Sequence, residues 1–324
     1  MKPLRVLTLL AFGLAVLLDL FHFHPAKDPY TLAQSAAGAT PNPLAAPATM
    51  PAPAKPTTSG SDSDVGDQFK FHGGGSAVGD TVLHANWKLV WEDDFSKDKQ
   101  IDKDKWNFEI NGDGGGNREL EYYTDSPKNA RIENGELLIT ALKDDDGHPF
   151  TSARMTTSKK FACLYGRIEA SIQAPKAQAG NWPAFWMMPQ ESLYGGWPRS
   201  GEIDIMELIN KSDKLYGTCH YGGEHGDIHT GAQTTRPSGD FSEDYHVYAV
   251  EWEPREIRWY VDGKYYGAIN NWHSADAPFP APFDQKFFII LNYAVGGDWP
   301  HSPNASSTFP QSMRVRYVRV YQPY

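Results

Sequence analysis

The sequence is poor in cysteine and has no excess of basic residues. Its 324 residues include 2 Cys, which are too few for a disulfide scaffold, and the spacing of Cys163 and Cys219 does not distinguish a bridge from two buried thiols. The formal net charge is -10, which argues against nucleic acid or an anionic membrane as the main partner. A neutral or basic ligand fits this charge better.

Aromatic residues are absent from residues 33–68. Residues 33–80 are rich in Ala, Pro, Ser and Gly, so we predict a disordered linker that buries too little apolar surface to fold. In residues 1–32, Lys2 and Arg5 precede a short apolar run that Asp19 interrupts. This pattern predicts a signal peptide or N-terminal anchor and therefore a secreted or cell-envelope protein, without deciding whether cleavage occurs.

Helical periodicity is missing from residues 81–324, where alternation with a period of two recurs instead. The segments "LYGRIEASIQA", "DYHVYAVEWEP" and "EIRWYVDGKYYGAI" follow it, and Asp262-Gly263 and Asn134-Gly135 stand where hairpin turns need positive φ. Many short strands with Gly and Pro turns predict an all-β fold, a β-sandwich or jelly roll.

Aromatic residues are abundant in this β-rich part. They make up 13% of the whole chain and include 10 Trp. A pyranose ring offers an apolar face for stacking and hydroxyls for hydrogen bonds, so a carbohydrate ligand is favoured. An aromatic-rich β core is the alternative explanation for part of this content.

The stretch "SGEIDIMELI" places three carboxylates in a strand of branched aliphatic residues. Strict alternation would put Glu202 and Asp204 on one face but send Glu207 into the core, where an isolated charge is very costly. One extra residue at Ile205-Met206, a β-bulge, would return Glu207 to the acidic face.

The spacing of these carboxylates favours one kind of chemistry. About four strand steps, roughly 13 Å, separate the backbones of Glu202 and Glu207, and two side chains leaning together would suit the separation of about 5 to 5.5 Å found in retaining glycosidases. Asp204 would hydrogen-bond Glu202, and crowding should raise at least one pKa, leaving Glu207 protonated as a general acid. The competing interpretation is an acidic, solvent-exposed sheet face.

The segment "GEIDIMELIN" resembles the catalytic strand of glycoside hydrolase family 16, in the bulged form typical of laminarinases, the endo-β-1,3-glucanases. Further segments follow in the family's order: "LVWEDDF", "RELEYYT", "YGRIEASI", "NWPAFWMMP", "HYGG", "HVYAVEWEP", "LNYAVGGDWP" and "VRYVRVYQ". The resemblance covers most of residues 87–324, so residues 81–324 are expected to form a catalytic domain, a β-jelly roll of two antiparallel sheets with a concave cleft.

The resemblance also implies individual roles. Glu202 would be the nucleophile, Asp204 its partner and Glu207 the acid/base. The implied substrate-binding residues are Asn117, Arg154, Trp182, Trp186, His220 and Trp299. For each Trp the alternative is core packing, and for His220 it is a satisfied strand histidine.

No organic cofactor is implied, and no metal ligand is assigned. Laminarinases often hold a structural calcium with an N-terminal carboxylate, a backbone carbonyl and an Asp of the final strand. Here Arg316 stands in place of that Asp, so Gly135 and the acids of "EDDF" are not expected to bind the ion, and Arg316 could instead pair with those acids. A structural calcium stays open as the alternative. The histidines of "HGDIH" lack the Glu of H-E-x-x-H and are expected in a loop, and "DDDGHPF" does not fit a calcium loop.

The resemblance therefore implies a retaining endo-glycosidase that hydrolyses β-1,3 linkages in laminarin-type β-glucans, with mixed-linkage β-1,3-1,4-glucan as a further substrate. The expected partner is this polysaccharide or its oligosaccharides, the expected state is a monomer, and nucleic acid is not expected. Alternatives are a non-catalytic β-glucan-binding protein, or a family 16 hydrolase acting on agar, carrageenan or galactan.

Overall fold

The computed structural model describes residues 87–223 and 226–323. The expected leader at 1–32 and linker at 33–80 lie outside these residues. Within the described ranges, no helix is long and apolar enough to cross a membrane.

The described chain consists of β-strands, numbered here in chain order, and one short 3-10 helix at Phe95–Lys97. The first sheet has ten strands. They are β1 (Trp87–Asp94), β3 (Glu121–Tyr123), β4 (Ala130–Glu133), β5 (Glu136–Asp145), β6 (His148–Ser152), β8 (Gly166–Gln173), β13 (His246–Glu253), β14 (Glu256–Val261), β15 (Lys264–Ile269) and β17 (Gln311–Pro323).

The second sheet has seven strands. They are β2 (Asn107–Phe108), β7 (Arg154–Thr156), β9 (Asn181–Pro189), β10 (Glu202–Leu208), β11 (Lys214–Gly223), β12 (Gly226–Thr235) and β16 (Phe287–Val295). Their order in the sheet is β12-β11-β10-β9-β16-β7-β2. All its pairs are antiparallel, whereas β3 and β6 of the first sheet pair in parallel. The all-β jelly-roll prediction is confirmed.

Apolar side chains of both sheets form one core. Ile203 and Phe185 of the second sheet pack in the same buried cluster as Val250 and Trp259 of the first. Gly217 on β11 is required by this packing, because a Cβ there would lie 2.3 Å from the Trp259 ring.

The structure tests the two predicted hairpin turns and the pairing of the cysteines. Asn134-Gly135 joins β4 to β5 with φ of 54° and 79°, and Asp262-Gly263 joins β14 to β15 with φ of 50° and 70°. Both turn predictions are confirmed. Cys163 and Cys219 are free, buried thiols, so they do not form a disulfide bridge.

Candidate active site

The acidic strand β10 contains the predicted bulge. On its β11 side Asp204 pairs with Thr218 and Glu207 pairs with Tyr216, so three steps on β10 match two on β11. On its β9 side Asp204 and Met206 pair with the consecutive residues Trp186 and Phe185. One residue is therefore inserted between Asp204 and Glu207, and it restores the phase of the acidic face.

The bulge places apolar residues in the core and the carboxylates on the opposite face. Ile203, Ile205 and Met206 are fully buried within the core cluster. The opposite sheet supports the bulge, because Trp259 Nε1 donates a hydrogen bond of 2.8 Å to the backbone oxygen of Asp204. This hydrogen bond satisfies the buried indole N–H and the backbone oxygen at the point where the bulge interrupts the strand ladder.

Glu202 and Asp204 form a hydrogen-bonded pair at the start of the strand. Burial, and next the negative charges of Glu202 and Glu207, raise the pKa of Asp204 well above its usual range. Burial and these charges therefore favour the protonated form of Asp204, which can donate its proton to the Glu202 carboxylate. On the other side, Trp197 Nε1 donates to Glu202 Oε2 at 2.5 Å, so two donors orient this carboxylate.

Glu207 has the surroundings of a general acid. Its residue is 8% exposed, and burial raises its pKa to about 7, although the hydrogen bond from Trp182 and the charge of His220 lower it. Trp182 Nε1 donates to Glu207 Oε1 at 2.9 Å. A carboxyl group that titrates near neutrality is suited to give and then take back a proton.

His220 on β11 lies directly opposite Glu202 in the ladder. Its Nε2 is 3.5 Å from Asp204 Oδ2, and its Nδ1 is 3.1 Å from Asp227 Oδ2. Burial lowers the pKa of His220, but Asp227, Glu202 and Glu207 together raise it above the ordinary value. The neighbouring carboxylates thus favour the protonated form of His220.

Two groups of aromatic residues flank the carboxylates. Trp186, opposite Asp204 in the ladder, donates through Nε1 to Asn292 Oδ1 at 2.7 Å, and the Arg154 guanidinium lies over its ring at 4.7 Å. Trp182 and Trp299 meet edge to face with ring centroids 5.6 Å apart. Such partly exposed rings can stack on pyranose faces.

Asn117 lies in the loop before β3, next to the Trp299 loop. Its backbone oxygen accepts a hydrogen bond of 2.8 Å from the Asp298 N–H, and its Nδ2 lies 3.4 Å from Glu119 Oε1. The charge of Glu119 also acts on Glu207. All nine residues predicted from the sequence therefore lie on the second sheet or in loops beside it.

Comparisons with known proteins identify the family of the chain. Residues 117–316 match the model of the glycosyl hydrolases family 16. A beta-glucanase of Rhodothermus marinus is 40% identical over 259 residues, which cover 76% of this chain and 89% of that protein.

The chain belongs to glycosyl hydrolase family 16. It is also 40% identical over 269 residues to the glucan endo-1,3-beta-glucosidase A1 of Niallia circulans, covering 74% of this chain but only 38% of that longer protein. Among solved structures, the laminarinase from Rhodothermus marinus superimposes with a TM-score of 0.67 at 38% identity, covering 74% of this chain and 98% of the other.

One corner of this family 16 hydrolase differs from the expected arrangement. We predicted that Arg316 could pair with the acids of "EDDF", and this is wrong: Arg316 Nε pairs with Glu136 Oε1 at 3.3 Å, and its guanidinium lies 3.6 Å over the Tyr245 ring. The "EDDF" acids have other partners, which are Arg319 for Glu92, Lys105 and Trp106 for Asp93, and the Ser96 N–H for Asp94.

The residues at this corner do not fit a calcium ion. Asp94, Gly135, Glu136 and Arg316 line one surface depression. Calcium prefers a cage of oxygen ligands, but the family's aspartate is replaced here by a guanidinium. The guanidinium of Arg316 already supplies positive charge at the place where a calcium ion would lie.

Two residues near the carboxylates were missed by sequence reasoning. Trp197 is exposed and donates a hydrogen bond to Glu202. Its position five residues before Glu202 was the one feature of the sequence that could have indicated this contact. Asp227, which contacts His220, lies in "HGDIH", where we expected a loop. That expectation is wrong for residues 226–229, which belong to β12; His225 lies outside the described residues.

Proposed function

We propose that this family 16 hydrolase is a retaining endo-β-1,3-glucanase that acts on laminarin-type glucans, with mixed-linkage β-1,3-1,4-glucan as a further substrate. The observation that carries the proposal is the bulged strand, which presents Glu202, Asp204 and Glu207 together. The similarity to a beta-glucanase and a laminarinase supports the choice of β-glucan. We further propose that the enzyme works as an exported monomer.

In the first step, the Glu202 carboxylate attacks the anomeric carbon and Glu207 protonates the departing glycosidic oxygen. The resulting glycosyl ester joins the sugar to Glu202. In the second step, Glu207 removes a proton from water, which attacks the same carbon and releases Glu202 with net retention. Asp204, kept neutral by burial, orients Glu202 without adding a competing charge.

The same structure suggests how the sugars bind. Trp182 and Trp186 lie four residues apart on β9, so both point to the face that carries the carboxylates. We assign them, with Trp299, as stacking platforms. Arg154 and Asn117 are assigned as hydrogen-bond donors to sugar hydroxyls at the same site, and His220 as a neighbour of the catalytic carboxylates.

The proposal is tested by reducing-sugar release and product sizing on laminarin, barley β-glucan, agarose and κ-carrageenan, with Glu202→Gln beside the wild type. We expect the wild type to shorten laminarin to oligosaccharides and to release the β-anomer first. Cleavage of agarose or κ-carrageenan alone would reject the substrate assignment. Laminarin binding without cleavage of any polymer would instead indicate a non-catalytic binding protein.

Trp182→Phe should move the basic limb of the pH profile of kcat/KM to higher pH. The indole N–H stabilises ionised Glu207 and so lowers its pKa; phenylalanine keeps an aromatic ring but removes this donor, so Glu207 stays protonated to higher pH. Trp186→Phe is the matched control, because its indole N–H bonds Asn292 instead. An unchanged limb in Trp182→Phe would contradict the role of this hydrogen bond.

We also propose that stability does not depend on calcium. The wild type should unfold at the same temperature in excess calcium and in EDTA, measured by differential scanning calorimetry. Arg316→Asp restores the family's ligand, and a gain of calcium-dependent stability of about 2.7 kcal/mol is expected at an ion concentration 100 times its Kd. A calcium-dependent shift in the wild type would show that the guanidinium does not replace the ion.

A further inference from the structure

The hairpin of β11 and β12 brings two histidines and an aspartate together beside the catalytic strand. His220 and His229 are direct partners in the ladder, and Asp227 pairs with Gly222, two positions further along. Because alternate residues of a strand share a face, Asp227 and His229 lie on the same face as His220. We call these three residues the hairpin triad.

The donor atoms of the hairpin triad converge. Asp227 Oδ2 lies 3.1 Å from His220 Nδ1 and 3.3 Å from His229 Nδ1, and each residue offers a ligand atom within 4.8 Å of the others. In a tetrahedral site with ligands about 2.0–2.1 Å from zinc, neighbouring donor atoms are about 3.3 Å apart. Both spacings from Asp227 Oδ2 are close to this value, so the carboxylate and the two imidazoles are placed to share one ion.

The donor types select the class of metal. Two imidazole nitrogens and one carboxylate suit zinc and copper, whereas calcium and magnesium need several oxygen ligands. Ions can reach the site, because the side chain of His229 is 61% exposed and that of Asp227 is 27% exposed. Both cysteines of the chain are buried and do not compete as thiolate ligands.

Hydrogen bonds alone also satisfy these groups, because each imidazole can donate its Nδ1 proton to Asp227. A metal ion would take the place of both Nδ1 protons, each neutral ring then carrying its single proton on Nε2, and would bind the three groups at once. The open fourth position would hold water, as in zinc sites with three protein ligands.

We propose that His220, Asp227 and His229 form a site for one divalent ion of the zinc class, and that the bound ion inhibits hydrolysis. The reason is the second ring nitrogen of His220, which lies 3.5 Å from Asp204 Oδ2. Metal on Nδ1 fixes this imidazole as a ligand and adds positive charge next to Glu202 and Asp204. Inhibition rests on the proposed function, but binding does not.

The binding test uses isothermal titration of Zn²⁺ into the metal-free full-length chain, comparing the wild type with His229→Ala. His273→Ala is the matched control, because His273 is an exposed histidine outside the hairpin triad. We expect the wild type and the control to bind one ion alike, and His229→Ala to bind at least tenfold more weakly. Equal affinity in His229→Ala, or no saturable binding, would mean adventitious binding only and would overturn the site.

The inhibition test measures laminarin hydrolysis by the same three proteins over a zinc titration, followed by EDTA. His229→Ala should keep its basal activity and require at least tenfold more zinc for half inhibition, and EDTA should restore the wild type. Site-specific binding with no inhibition would overturn the inhibitory role. Site-specific binding by a protein that cleaves no polymer would refute the proposed function while leaving the metal site intact.

Discussion

Glu202→Ala is expected to lower kcat/KM for laminarin by at least about 10³-fold, as removal of a catalytic nucleophile does. The truncated side chain cannot form the glycosyl ester, and hydrogen bonds from Trp197 and Asp204 lose their acceptor. The measurement is the initial rate at which reducing ends are released. An unfolding temperature equal to that of the wild type shows that the variant is folded.

Azide provides the positive control for this variant. With an activated aryl β-glucoside, a small anion can enter the space left by the Glu202 carboxylate and give an α-glycosyl azide, identified by NMR.

Glu191→Ala is the matched loop variant, because Glu191 is an exposed glutamate in the loop before β10, and it should keep full activity. Activity within tenfold of the wild type in Glu202→Ala would remove Glu202 from the nucleophile's role.

Glu207→Ala is expected to lower laminarin hydrolysis by about 10²- to 10⁴-fold, the usual contribution of a general acid or base. The effect should depend on the leaving group. An aryl glucoside whose phenol leaves without protonation should still glycosylate Glu202, whereas a sugar leaving group needs the proton. Azide should then yield a β-glycosyl azide, opposite to the product of the Glu202 variant.

The pH profile separates the acid/base role from a structural one. Burial raises the pKa of Glu207 to about 7, so the wild type holds its catalytic proton below this pH and loses it above, and kcat/KM for laminarin should fall as the pH rises through about 7. In Glu207→Ala that basic limb should disappear. A limb that persists at the same pH would assign the titration to another group.

Much of the fold and the acidic strand could be predicted from residues close in sequence. Asn134-Gly135 and Asp262-Gly263 marked hairpins because few other residues adopt positive φ. The bulge followed from a conflict within "EIDIME": strict alternation would have buried a charged Glu207, and one inserted residue removed that cost. The family resemblance then supplied roles for residues whose positions no local pattern relates.

The sequence misjudged or missed features that depend on partners far along the chain. Arg316 stands in place of an Asp of the family, so we expected it to pair with the "EDDF" acids. In the folded sheet it contacts Glu136 and the ring of Tyr245 instead. Arg167 and Glu169, on the polar side of an alternating strand, are both buried. Ion pairs of Arg167 with Glu169 at 2.9 Å and with Glu251 of β13 at 3.1 Å offset the cost of this burial.

By itself the sequence determined the class of fold, the turns and the row of carboxylates on β10, because period-two alternation and positive-φ preferences act between near neighbours. Only the tertiary structure decided that Trp182 contacts Glu207, that Trp197 contacts Glu202 and that Asp227 joins His220 to His229. Sheet order and register create these contacts, and they also determine which carboxylates are buried deeply enough to have raised pKa values.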